Sequence, residues 1–117
     1  MSSPVKHIAD ISDESIHENS TLRKRLVWVD EHHKGDIATI NYARLKPKSQ
    51  LDIHKHKDGE EFYYFLEGCG HILVGNVWFS IRSGDFVTIP IGADHSVKNN
   101  SSVHLIFLTI RTVQPNT

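Results

Sequence analysis

From Arg23 onward the chain is a succession of short apolar-rich runs cut by turn residues, and no segment of ten or more positions keeps a helical period. Leu26-Val27-Trp28-Val29 is the first run, and a polar break over 30–36 follows it. The next run alternates: Ile37, Thr39, Asn41 and Ala43 share one side, with Ala38, Ile40, Tyr42 and Arg44 on the other. Pro47-Lys48-Ser49 ends it, and further strands are expected at 50–56, 61–66, 71–74, 77–82, 86–89, 95–98 and 103–113. Gly75-Asn76, between Val74 and Val77, is a two-residue hairpin turn of the kind that needs positive φ. Ser83-Gly84-Asp85 marks another reversal. Many short strands at close turn spacing predict a sandwich or barrel, a class that includes jelly rolls.

Residues 1–22 are polar and lack periodicity, so they read as a tail or an edge segment, leaving 23–117 as the barrel domain. A length of 117 residues fits one domain with a real hydrophobic core. One strand bears on assembly. Phe62-Tyr63-Tyr64-Phe65-Leu66 is apolar or aromatic on both faces, and a barrel core can cover only one of them. A second copy of the chain is the simplest cover for the other, so a homodimer is expected; the N-terminal segment folding back is the alternative.

Composition changes this picture little: 38% hydrophobic, 23% charged, formal net charge −1. Such a balance gives no electrostatic case for nucleic acid or an anionic membrane, and Lys46, Lys48, Lys55 and Lys57 are interleaved with other residues rather than gathered into a basic face. No apolar run approaches the length of a membrane span. Cys69 is the single cysteine, which excludes an internal disulfide, and the first twenty residues lack the apolar stretch of a secretory signal. A cytoplasmic, reducing location is the expectation. The nine histidines are the one unusual count.

Some of those histidines are patterned. His54 and His56 are two apart, so on a strand their rings would point into one space. Lys57-Asp58-Gly59 supplies turn residues, and Glu61 returns on the neighbouring strand within reach of both rings. His95, after a Pro90-Ile91-Gly92 turn, would close the site from another strand. Three imidazoles and one carboxylate suit one divalent iron, manganese, nickel, copper, cobalt or zinc ion and leave one or two positions open for water or substrate. A His-x-His pair among Lys55, Lys57, Asp58 and Glu60, taken alone, is better explained by a solvated charged loop. The second cluster of Gly84, Pro90, Gly92, His95 and Asn99 is hard to obtain by chance.

The two clusters together resemble the paired signature motifs of the cupin superfamily. Glu61, six residues and Gly68 complete the first motif, and Gly84 to Asn99 follows the second throughout. The resemblance runs from Ile37 to Val113. It implies a small single-domain cupin of the RmlC-like kind: all-β, a jelly-roll barrel of two antiparallel sheets. It assigns the metal-ligand roles to His54, His56, Glu61 and His95, and structural roles to the glycines, Pro90 and Asn99. Two features depart from the pattern. Lys48 stands where the family usually has Gly, so the turn there is expected to differ in shape. Glu60 and Glu61 are adjacent and would face opposite sides; the spacing to Gly68 selects Glu61.

Other positions offer weaker chemistry. Tyr63 and Phe65 share the parity of Glu61 and should face the interior, where Tyr63 could act as a general acid or orient a ligand; core packing is the plainer role. Gln50 and Asp52 have the parity of His54 and could line the cavity mouth. His71 and His104 read as ordinary strand histidines, and His32-His33 as a loop pair. Cys69 reads as a plain buried or turn thiol, and Arg44, Arg82 and Arg111 as surface strand arginines rather than carboxylate binders. The superfamily resemblance leaves function open between a metal-dependent enzyme on a small organic molecule (oxygenase, isomerase or lyase chemistry) and a non-catalytic module that binds a sugar or metabolite.

Overall fold

The computed structural model describes residues 4–28 and 36–113. The loop histidines His32-His33 and Val29 lie outside these. A short 3₁₀ turn at Ile8–Asp10 precedes ten strands: β1 Glu14–Ile16, β2 Thr21–Trp28, β3 Ile37–Leu45, β4 Ser49–Gln50, β5 Glu61–Glu67, β6 Cys69–Val74, β7 Val77–Arg82, β8 Phe86–Ile89, β9 His95–Asn99 and β10 Leu105–Thr112. They form two antiparallel sheets, one ordered β1-β2-β3-β10-β5-β8 and the other β4-β9-β6-β7. This is the two-sheet jelly roll. Among the described residues no helix is long and apolar enough to cross a membrane.

The sheets close on a core in which Leu45, Phe65 and Phe107 of the larger sheet meet Ile72, Ile81 and Val97 of the smaller. Phe65 and Phe107 are fully buried with ring centroids 5.4 Å apart. Each such side chain contributes about 1.5–3 kcal/mol of transfer free energy. The inward positions of β5 are Glu61, Tyr63 and Phe65, as alternation requires. Gly68 ends that strand at φ 91°, where a Cβ would lie 2.9 Å from the His104 carbonyl oxygen, so only glycine lets β5 turn into β6 here. Lys48 adopts φ 57°, so the turn keeps the left-handed shape despite its side chain, and the ammonium donates to the Asn100 carbonyl at 2.5 Å. The expected change of shape does not occur.

The N-terminal segment is tied down. β1 pairs with β2 at the sheet edge. Asp13 bridges Lys24 and Arg44, and Glu14 bridges Arg23 and Arg25. The Arg44 guanidinium beside Asp13 outweighs the opposing effect of burial and, with Lys24 adding to it, holds the carboxyl below the usual carboxylate range. These contacts lie over β2 and β3. The outer face of β5 stays open in the single chain, with Tyr64 42% and Leu66 36% exposed beside Phe86. The N-terminal segment is therefore not its cover.

Candidate metal centre

The expected strand over 50–56 is shorter than predicted: β4 stops at Gln50, Leu51 still donates its N–H to the Val97 carbonyl, and His54 bridges back to β9 through His95. His54 and His95 exchange both backbone hydrogen bonds, at 3.0 and 2.8 Å. Leu51, not Gln50 or Asp52, is the buried residue of this stretch. The alternation breaks between Leu51 and His54, so Gln50 faces solvent, while the exposed Asp52 carboxylate meets the cavity rim at His17, 3.7 Å away. The turn after β8 holds the far side in place. Gly92, at φ 78°, donates its N–H to the His56 carbonyl at 2.8 Å and so fastens the second motif to the first.

The structure brings all four predicted residues together. One ligating atom from each of His54, His56, Glu61 and His95 falls within 4.8 Å of the others. His56 Nε2 lies 3.1 Å from Glu61 Oε2, and His95 Nε2 lies 3.5 Å from Glu61 Oε1. The His54 and His95 rings are 4.0 Å apart between centroids. Glu60 instead uses its backbone N–H to bond Thr112 Oγ1, so Glu61 is the carboxylate of the cluster. His95 is 1% exposed, and its Nε2 is buried without a hydrogen-bond partner. An orphaned imidazole nitrogen aimed at a carboxylate and two further imidazoles is the arrangement a divalent cation completes. The donor set fits the ion.

Electrostatics point the same way. Burial pushes the Glu61 carboxyl up, but the His56 imidazole at 3.1 Å, with the His95 ring at 3.5 Å and the Tyr63 hydroxyl, outweighs it and holds the carboxyl well below the usual range. Burial lowers His54 from the ordinary imidazole value, keeping it neutral and able to donate a lone pair. The His54 Nδ1 sits 2.8 Å from the Asp52 carbonyl oxygen and the His95 Nδ1 3.2 Å from that of Ala93. Those contacts fix each ring with Nε2 toward the centre. Tyr63 is fully buried between Phe65 and Phe107, and burial together with the Glu61 charge raises its hydroxyl well above its ordinary value.

The cluster opens into a cavity of about 280 Å³ whose wall includes residues that the pattern of the sequence did not single out. His17 comes from the turn after β1, where His17, Glu18 and Asn19 run consecutively at positive φ. Its ring lies 5.2 Å from that of His54, and its Nδ1 lies 3.7 Å from Asp52 Oδ2. Arg23, Asn41 and Arg111 also line the cavity. Arg111 is not a surface arginine: its Nη1 is 3.2 Å from His56 Nδ1. Its signal was available, because Leu105, Phe107, Thr109 and Arg111 share one parity. Arg44 and Arg82 face away from the cavity, and Cys69 is exposed opposite Arg82, so the expected buried or turn thiol is corrected to an exposed one.

Comparison with known proteins agrees with this geometry. A protein of Methanocaldococcus jannaschii, MJ1618, is 34% identical over 76 residues, 65% of this chain and 61% of the relative. The oxalate-binding protein of Thermotoga maritima is 34% identical over 81 residues, 68% of this chain and 64% of the relative. The matched part thus spans less than two thirds of either relative. The crystal structure of a predicted oxalate decarboxylase from Thermotoga maritima superimposes with a TM-score of 0.84 at 25% identity, covering 93% of this chain and 98% of that one. Residues 41–111 match the Cupin domain family, and with the two sheets and the His/Glu cluster the chain belongs to the cupins.

Proposed function

We propose that this cupin is a metal-dependent enzyme acting on a small organic molecule, with His54, His56, Glu61 and His95 as ligands of one divalent transition-metal ion. The observation that carries this reading is the orphaned, buried His95 Nε2 in a four-donor cluster that opens onto a cavity. Four protein donors would leave one or two positions of a bound ion open to water or substrate. A bound ion would supply Lewis-acid polarisation of a chelating oxygen, or activation of O2 or water. The chain's own groups do the rest. Glu61 brings the single negative charge among the cavity-lining residues and lowers the net charge of the centre. Tyr63 is the residue we assign to orient the bound molecule: its hydroxyl stays protonated and so serves as a hydrogen-bond donor beside Glu61.

Purification under non-chelating conditions, elemental analysis, and a screen of O2 uptake with 1,3-diketones and hydroxy acids test this reading. The expected outcome is about one metal ion per chain and turnover of one of these classes, slowed by Tyr63→Phe with metal content retained. Metal uptake in wild type and in His56→Ala alike would remove the site assignment. A second reading has its own support. The 34% identity to the oxalate-binding protein of Thermotoga maritima favours a module that binds a small carboxylate without transforming it. Tight binding of a small acid to the metal-loaded chain, with no turnover, would select it.

A further inference from the structure

The cavity wall beyond the four clustered residues is built largely by β2, β3 and β10 of the larger sheet, and their register fixes what stands beside what. Arg111 of β10 is paired with Glu61 on one side and Thr39 on the other. Two residues along, Thr109 is paired with Tyr63 and Asn41. Paired residues of adjacent strands point to the same face, about 4.8 Å apart. A polar lane therefore runs from Glu61 across β10 onto β3. Arg23 of β2, paired with Ala43, stands at its far end.

This lane is unusual for the interior of a barrel, because several of its polar atoms have no partner. Asn41 is 9% exposed and its Oδ1 is buried without a hydrogen bond. Arg23 Nε is buried and equally without one, although its Nη2 donates at 3.0 Å to Oε2 of Glu14, its paired neighbour on β1. Arg111 is held by His56 Nδ1 and, more loosely, by Asp58 Oδ1 at 3.8 Å, with the Asp58 side chain largely exposed. Leaving such groups unpaired costs about 1–3 kcal/mol each, so they are held for something that enters the cavity. Arg23 keeps an unpaired Nε–H despite Glu14, and Arg111 meets Asp58 only at 3.8 Å, so both guanidinium groups offer donors to an anionic oxygen in the cavity. A space of about 280 Å³ is roughly nine times the ~30 Å³ share of a water, which admits a molecule of about that many non-hydrogen atoms.

We infer that the cavity takes a small organic acid whose carboxylate is held by Arg111 and Arg23, with Asn41 bonding a second polar group of the same molecule. The inference rests on the small-molecule reading of the metal centre and names the substrate class for it. The guanidinium groups bind and orient; His17, above the His54 ring, forms part of the same wall.

Calorimetric titration of malonate and of its neutral diamide into the Mn²⁺-loaded chain, in wild type, Arg111→Gln and Arg23→Gln, tests it. A metal ion by itself favours the anion, so the decisive number is the change on losing a guanidinium. At least one variant should weaken malonate fivefold or more while the diamide moves less than threefold. Malonate binding within fivefold of wild type in both variants, or equal weakening of both probes, overturns the proposal. Manganese content, measured on the same samples, separates the two levels. A wild-type chain that takes up no Mn²⁺ sinks the metal reading, and the titrations on the metal-free chain then decide the acid-binding wall by the same criterion. Should Arg111→Gln lose its metal through the contact with His56, Arg23→Gln, which touches none of the four clustered residues, carries the comparison.

Discussion

Replacing His95 by Leu separates a histidine kept for a cation from one kept for the fold. In the metal-free chain its Nε2 is buried without a hydrogen-bond partner. An unsatisfied buried polar atom costs about 1–3 kcal/mol, so its removal relieves strain of that size. Against this stand lost ring packing against His54, at 4.0 Å, and Tyr63, at 6.2 Å, and the lost contact with Glu61 Oε1 at 3.5 Å. Lost aromatic pairing is worth about 0.5–1.5 kcal/mol. The two nearly cancel, and metal-free His95→Leu should melt within about 1 kcal/mol of wild type. With metal added the chains diverge. A ligand at a hundred times its Kd stabilises by about 2.7 kcal/mol, and for a domain of this size that raises Tm by roughly 10 °C. Wild type should show that rise with Zn²⁺ or Mn²⁺, and His95→Leu should not. The assay is thermal unfolding followed by circular dichroism, each chain with chelator and with metal. Equal metal-induced rises in both chains refute the reasoning. So does a metal-free variant destabilised by about 3 kcal/mol or more, because His95 would then be a structural pillar rather than a waiting ligand.

Acid should act through Glu61. Its carboxyl is held below the ordinary range in the fold, so its contribution is present above the unfolded value of about 4.3 and is lost as pH falls toward the folded one. Urea unfolding of the metal-free chain between pH 7 and 3 should therefore fall more steeply in wild type than in Glu61→Gln; parallel curves would contradict this. Asn99 is fully buried, and its Nδ2 reaches the carbonyls of Leu45, Lys46 and Val103 while Oδ1 accepts from Ser101. Asn99→Leu should cost about 2–4 kcal/mol in denaturant unfolding, since these partners lose their bonds together; a loss under about 0.5 kcal/mol would mean water replaces the amide. Finally, the open outer face of β5 is expected to be covered by a second copy, so light scattering should report a dimer that Tyr64→Glu splits. A strictly monomeric wild type would contradict it.

Strand positions were legible wherever the local pattern was also the tertiary one. Ile37–Leu45, Val77–Arg82 and Phe86–Ile89 fall where alternation and turn residues placed them. The four clustered residues were legible for a related reason. His54, His56 and Glu61 lie within one short stretch, and His95 carries its own turn, so few tertiary facts were needed to bring them together. The 50–56 stretch misled because parity was extended through a break: Leu51 turns inward and bonds Val97, then the chain leaves β9 and rejoins it at His54.

The cavity wall obeys a different rule. Its residues come from five strands of the larger sheet, the turn after β1 and the stretch holding His54 and His56, and no two of Arg23, Asn41 and Arg111 are near each other in order. What makes them neighbours is the pairing of β2 with β3 and of β3 with β10, a register set by the whole larger sheet. His17 is harder still. Nothing in a polar segment without periodicity marks it, and its position depends on Asp13 and Glu14 finding cations on β2 and β3, about ten to thirty residues away, together with three successive left-handed residues. Such ion pairs, partly exposed, are each worth at most about 1 kcal/mol, so it is their number that orders the segment. The chemistry of the metal centre is thus written locally and that of ligand selection globally. Two chains with the same His/Glu set can take different molecules, and the residues to compare between them are those on β2, β3 and β10.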